Sequence, residues 1–225
     1  MTGEEAVGVL EGLGNPVKAA QMAAYHKVPR RYLGVSNPDI DVAVRQWQAA
    51  LTPEVWVRLA AELWSSDVHE AMVAAGKLLD RPRYPSSEEA AWQLLCGWVE
   101  SFDAWAVADH ATIAGQKRLV ARPERIETVA TWTTHPNMWT RRAALVITLP
   151  YAKARTPSAV EERIRRRVLG WAAGYVEDQE WFIQKAVAWW LRELSKVDPA
   201  ATREFVGIHG SGMRSFARRE ATKYL

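Results

Sequence analysis

Trp181-Phe-Ile-Gln-Lys-Ala-Val-Ala-Trp-Trp-Leu-Arg-Glu-Leu-Ser-Lys196 repeats its apolar residues with a helical period. Ile183, Ala186, Val187, Trp190, Leu191 and Leu194 fall on one arc, and that arc must face a core. The opposite arc carries Lys185, Trp189, Arg192 and Lys196. A face meant only for water has little use for a bare indole. A face that grips a polyanion does have a use for one, because ammonium and guanidinium groups pair with phosphate while an indole packs on sugar or base. The alternative is that another helix covers Trp189.

The same period runs outward in both directions. Val, Ile and Thr rarely alternate as they do in strands. Amphipathic runs are instead separated by short breaks of Pro, Gly, Asn, Asp or Ser. The pattern predicts helices over 3–13, 16–27, 38–51, 53–65, 67–80, 86–101, 104–116, 122–134, 137–149, 157–174, 178–196, 198–207 and 211–223. Asn15-Pro16, Asn37-Pro38, Thr52-Pro53 and Asp198-Pro199 put proline in a first helical turn, where its missing N–H costs nothing. Ser86-Ser87-Glu88-Glu89 offers an N-cap followed by acids. The helices pair at a spacing of about 35 to 45 residues, the range of helical-hairpin solenoids. The fold class is therefore all-α, a helical-repeat solenoid whose concave face is made by one helix from each pair. No linker rich in Pro, Gly or Ser interrupts it, so residues 1–225 read as a single domain.

The 225 residues hold 29 Lys and Arg against 26 Asp and Glu, a formal charge of +3. Any basic surface must come from clustering rather than overall excess. The single Cys96 excludes a disulfide framework and a cysteine zinc site. His26, His69, His110, His135 and His209 show no metal-ligand spacing and read as structural or exposed. No stretch is long and apolar enough to span a bilayer, and the N-terminus lacks the regions of a signal peptide. A cytoplasmic protein away from membranes is expected. Twelve Trp residues are more than core filling explains.

Two further runs carry residues at odds with their arcs. In Phe102-Asp-Ala-Trp-Ala-Val-Ala-Asp-His110, Trp105 and Asp109 lie one turn apart, on a face shared with Phe102 and Ile113. An acid on an apolar arc is costly unless it is paired or solvated. Asp109 is then either bonded to an Arg or a helix cap, or held beside the indole in a cleft where it can stabilise a cation. In Met138-Trp-Thr-Arg-Arg-Ala-Ala-Leu-Val-Ile-Thr-Leu149, Arg142 falls among Met138, Trp139, Leu145, Val146 and Leu149, while Arg141 turns away. Arg142 either pairs with Asp109 or clamps a phosphate through two parallel hydrogen bonds. Arg163-Ile-Arg-Arg-Arg167 and the tail cluster Arg214, Arg218, Arg219 and Lys223 read as solvated faces or peripheral nucleic-acid contacts.

Taken together, Trp105-x-x-x-Asp109, Trp139-x-x-Arg142 and Phe182-Ile-Gln-Lys-Ala-x-x-Trp189-x-Leu-Arg-Glu193 resemble the AlkD-type DNA alkylation repair glycosylases. Tyr32-Leu-Gly-Val-Ser-x-Pro38 and Arg218-Arg-Glu-Ala-x-Lys-Tyr224 extend the likeness over most of the chain, in the family's order. The resemblance implies a HEAT-like solenoid with a concave basic face that binds double-stranded DNA. It implies a monomeric hydrolase of base excision repair that removes N3- and N7-alkylated purines, 3-methyladenine and 7-methylguanine among them, without flipping the base. It places the catalytic aspartate at Asp109, the cleft tryptophans at Trp105 and Trp189, and DNA contacts at Arg142, Lys185, Arg192 and Lys196. Many members carry an acid directly after the first tryptophan; here the position is Ala106.

The chemistry fits those residue types. Alkylation at N3 or N7 makes the purine cationic and weakens its glycosidic bond, so a neutral base departs and leaves an oxocarbenium-like sugar. A carboxylate near C1′ stabilises that cation and orients water, and indole faces add cation–π attraction. An activated leaving group needs no strong general acid, metal or organic cofactor. The competing class is a non-catalytic helical-repeat protein that binds DNA or a protein partner through the same groove. Asp109 discriminates between them, because an acid facing phosphate weakens pure binding.

Overall fold

The computed structural model describes residues 1–81 and 85–225. Among these it contains fourteen α-helices and no strand, the sole extended pairing being an isolated bridge between Arg31 and Val68. The Cα positions divide into two compact units, Met1–Arg118 and Leu119–Leu225, with the boundary inside one helix.

The N-terminal unit is built from α1 (Gly3–Gly12), α2 (Pro16–His26), α3 (Asn37–Ala50), α4 (Pro53–Ser65), α5 (His69–Leu79), α6 (Glu88–Trp98) and most of α7 (Trp105–Ala121). The cap positions fall where the sequence puts them, though not all are closed by a side chain. Asn15 accepts from the Lys18 amide at 3.0 Å, and Ser36 accepts from that of Asp39. Thr52 and Ser87 occupy cap positions without a side-chain cap bond. Of the eleven residues of α5, every one but Lys77 is buried, so it is the central helix of this unit. Leu59 and Leu63 of α4 and Leu78 and Leu79 of α5 have no exposure, and the two helices pack on one another. Truncating one such leucine to alanine costs about 2–5 kcal/mol.

Glu70 of α5 has no exposure, yet it is charged, and the sequence Leu33-Gly-Val35 accounts for it. Its carboxylate accepts the backbone N–H groups of Leu33, Gly34 and Val35 at 2.9, 2.7 and 3.3 Å. Gly34 sits at φ +76, and a Cβ there would lie 2.1 Å from the Asn15 carbonyl oxygen. The Tyr32–Pro38 signature is thus a turn folded onto a buried acid. Gly76 of α5 allows a second close approach, since a Cβ there would lie 2.8 Å from the His110 backbone. That approach seats α7 directly on α5, one residue from Asp109.

The C-terminal unit contains α8 (Ile126–Trp132), α9 (Met138–Ile147), α10 (Leu149–Lys153), α11 (Ala159–Tyr175), α12 (Trp181–Ser195), α13 (Pro199–His209) and α14 (Ser215–Ala221). Asn137 caps α9, a Ser158–Glu161 capping box opens α11, and Asp198 caps α13. The sequence pattern predicts one helix ending at 149. Instead the backbone breaks at Thr148, and a short helix restarts with Pro150 in its first turn. The expected helix over 104–116 continues to Ala121, and the one over 211–223 contracts to α14. All six residues of the predicted apolar arc of α12 are at most 2% exposed.

The repeat is visible in the hydrogen bonds. Glu70 reaches back 35 to 37 residues, Lys77 reaches Asp41 over 36, and Arg118 reaches the Leu79 carbonyl over 39. In the other unit Arg141 meets Asp178 over 37, Arg167 meets Glu127 over 40, and Tyr175 meets the Thr133 carbonyl over 42. Side chains of one helical pair therefore satisfy the backbone and charges of the next, at the spacing read from the sequence.

Candidate functional site

Within the N-terminal unit, Trp105 opens α7 and Asp109 follows one turn later. Both are partly accessible, as is Ile113, while Ala106, Val107 and Ala108 are buried. The stripe predicted from spacing is therefore the half-open face of a helix whose other sides are packed. Ala106 lies on the packed side, so the missing acid leaves this stripe unaltered. Phe102, expected on the stripe, is 3% exposed and packs edge-on against Trp64 at 5.8 Å.

Trp105 is backed by two rings from the end of α2. Its centroid lies 6.4 Å from Tyr25 in an edge-on arrangement and 5.6 Å from His26. His26 in turn stacks on Tyr32 at 6.0 Å and lies 4.5 Å from His69. The start of α7 is pinned by Arg30, whose side chain is 4% exposed. Its guanidinium donates to Asp103 and to the Met72 sulfur at 3.1 Å, and it pairs with Asp67 at 3.3 Å. Burial drives His69 down to about 3 and His110 down to about 4, the latter helped by Lys77 and opposed by the neighbouring Asp109. Both imidazoles are neutral at physiological pH. Sequence reading set the histidines aside. It had no signal for this cluster, because its rings come from residues tens of positions apart.

In the C-terminal unit, α12 presents Lys185, Trp189 and Arg192 partly accessible and Lys196 exposed, as its polar arc predicts. The cations differ in their engagements. Lys185 Nζ lies 4.8 Å from the centre of the Trp181 ring, which stacks on Phe216 at 5.5 Å. Arg192 donates to Glu220 of α14 at 2.6 Å and to Glu193, and Lys196 donates to both Glu193 oxygens at 2.9 Å. Burial pushes the Glu193 carboxyl up, but Lys196, Lys153 and Arg192 outweigh it and hold it below the usual range. Arg192 and Lys196 are thus both engaged by carboxylates.

Arg142 is buried at 4% exposure and donates to the Phe182 carbonyl at 2.9 Å, so it ties α9 to the start of α12. Phe182 packs on Trp139 at 4.7 Å. Gln184, fully buried one turn into α12, was quoted in the sequence only as part of a signature. Its amide nitrogen donates to the carbonyls of Tyr175, Val176 and Asp178, and its oxygen accepts from the Arg214 amide at 3.0 Å. It fixes the turn before α12 and the start of α14 together. In the basic run, Arg163 and Arg166 are exposed as expected. Arg165 instead points inward at 4% exposure and donates to the carbonyls of Tyr151 and Ala154. Its place on the apolar side of α11, in line with Ile164 and Val168, is the signal that run-counting overlooked.

No group of three or more His, Cys, Asp or Glu side chains among the described residues could hold a metal ion. No helix among them is long and apolar enough to cross a membrane.

The chain is similar in structure to a protein of Enterococcus faecalis described as a predicted DNA alkylation repair enzyme. The TM-score is 0.74 at 22% identity, over 94% of this chain and 96% of that one. It is also similar to AlkD2 from Streptococcus mutans, with a TM-score of 0.60 at 16% identity over 92% and 94% of the two chains. These likenesses show a shared all-α helical-repeat fold. No curated protein matches the sequence. The model of one family, described as DNA alkylation repair enzyme, matches residues 7–225 and so spans both units. With that match over nearly its whole length, the chain belongs to the DNA alkylation repair enzyme family.

Proposed function

We propose that the protein is a monofunctional DNA glycosylase that hydrolyses the N-glycosidic bond of cationic N3- and N7-alkylpurines in duplex DNA. The observation that carries this reading is the pairing of Trp105 and Asp109 one turn apart on the half-open face of α7, where both side chains are accessible to a ligand. Residues 1–225 act as one functional domain, in accord with a single family model that spans both units.

In this reaction the bond between C1′ and the purine nitrogen breaks, and its electron pair neutralises the cationic base. The sugar is left electron-poor at C1′. Asp109 stabilises that cation and takes a proton from the water that attacks C1′. Trp105, on the same helix face, sets its π face against the sugar. Lys185 serves the backbone phosphates, and Arg192 and Lys196 join it by exchanging a carboxylate for a phosphate, while Arg142, buried against the Phe182 carbonyl, fixes the start of the helix that carries them. The leaving base is already activated, so the chemistry calls for no metal, no organic cofactor and no strong general acid.

Adduct size tests the reading. If an indole and a carboxylate act on the sugar while the base stays in the stack, bulky N3 or N7 adducts are released within about tenfold of the methyl rate, whereas an enclosing pocket discriminates by size. Uracil, a neutral lesion, is not released. Release rates from one duplex carrying a methyl or a bulky adduct at the same purine decide it. Sharp preference for methyl, or release of uracil, contradicts it.

A further inference from the structure

His26 and His69 each bury an Nδ1 atom that has no hydrogen-bond partner. Such an atom costs free energy that a phenyl ring in the same place would not. Their position offers a reason. His69, at the start of α5, is 3% exposed, and its ring lies 4.9 Å from Tyr32 and 4.5 Å from His26. His26 ends α2 and is the layer between this buried base and the indole of Trp105, which it meets at 5.6 Å and 40°. Its ring is nearly parallel to that of Tyr32, at 6°.

We propose that His26 is a positioning residue: its neutral ring, seated on His69 and Tyr32, holds the Trp105 indole in place next to Asp109, and a proton on His26 releases it. The proposal rests on the reading of Trp105 as part of the excision site. A charged His26 would share its pile with the Arg30 guanidinium, which is itself nearly buried. It would also face His69 across 4.5 Å. Glu70 of α5 favours the charge, but its carboxylate is committed to three backbone N–H groups. Tyr25 beside His26, Asp103 ahead of α7 and His110 further along it are the other titratable groups that act on the pile. Burial holds His26 below the ordinary histidine value, with Arg30 adding to the effect and Glu70 opposing it. The ring is therefore neutral at physiological pH and takes its proton on the acid side.

Two measurements on the full chain test this. With indole nitrogens labelled, the Trp105 cross-peak is identified by its loss in Trp105→Phe. It moves in the wild type as the pH is lowered through and below the ordinary histidine range and stays put in His26→Phe, which cannot take a proton. In single-turnover excision, His26→Ala is slowed about tenfold while duplex affinity stays within about twofold, because the loss is in positioning rather than binding. His26→Phe recovers the rate and flattens the acid limb of its pH profile. Identical cross-peak movement in wild type and His26→Phe overturns the proposal, as does an unaltered rate in His26→Ala. A wild type that releases no base defeats the excision reading instead, and the cross-peak titration still decides the role of His26.

Discussion

Glu70 in the N-terminal unit and Gln184 in the C-terminal unit do the same job with different chemistry. Each is fully buried on the central helix of its unit, and each gathers the backbone of the turns around it. Glu70 is an acceptor and collects three N–H groups. Gln184 donates to three carbonyls and accepts one N–H. The contrast extends outward. Around Trp105 the supports are a carboxylate and neutral imidazoles, whereas around α12 they are the amide of Gln184 and the guanidinium of Arg142. Two copies of one architectural solution thus respond differently to charge and to pH.

The largest effect is expected at these hubs. Glu70→Ala strands three buried N–H groups and should cost about 3–5 kcal/mol, the scale of a broken buried charged network. Gln184→Ala removes a neutral hub and should cost less, about 2–4 kcal/mol. Urea unfolding of both variants gives the order directly, and a Gln184 variant less stable than the Glu70 variant would break the comparison.

Acid should act next, and on one unit. His69 and His110 are held near 3 and 4, below their unfolded value near 6.5, so the folded state disfavours their protons. Their contribution is intact above about pH 6.5 and is lost as pH falls, because the unfolded chain takes up protons that the folded chain refuses. Each costs about 1.4 kcal/mol per pH unit over that range, down to its own folded value. Opening free energies from hydrogen exchange should drop between about pH 7 and pH 5 in α5 and α7, while α12, whose supports do not titrate there, holds. An equal drop in both regions would contradict the contrast.

The smallest effect concerns the outer rim of α12. Glu220→Gln frees Arg192 from a carboxylate without touching the core. Stability should change by less than about 1 kcal/mol. Affinity for undamaged duplex should rise about two- to threefold, with a salt dependence steeper by up to one phosphate contact. Weaker binding would show instead that Glu220 prepares Arg192 for DNA rather than competing for it.

Much of this was legible in the sequence. The arc of α12 and the α7 stripe are statements about periodicity, and periodicity survives folding. Arg142 was placed among apolar neighbours by spacing and is buried there. The hairpin spacing reappears as hydrogen bonds some forty residues long. What spacing could not supply was partnership. A period of 35 to 45 residues says that one pair touches the next, but not that Glu70 meets Leu33–Val35 or that His26 lies on His69. Arg192 and Lys196 were read correctly as an accessible cationic face, while the carboxylates that occupy them come from Glu193 beside them and from Glu220 on another helix. The break at Thr148 was missed because Pro150 reads equally as the end of one helix and the first turn of another.

The central claim is that Asp109 acts on a developing sugar cation, and one measurement addresses it most directly. Single-turnover release of 7-methylguanine from a methylated duplex is compared for the wild type and Asp109→Asn, with duplex affinity measured alongside. The amide keeps the shape and removes the charge, so release should fall by the equivalent of about 2–4 kcal/mol, a loss of roughly thirty- to thousandfold. Affinity should stay equal or improve slightly, since an acid no longer faces phosphate. Near-wild-type release by Asp109→Asn would contradict the account.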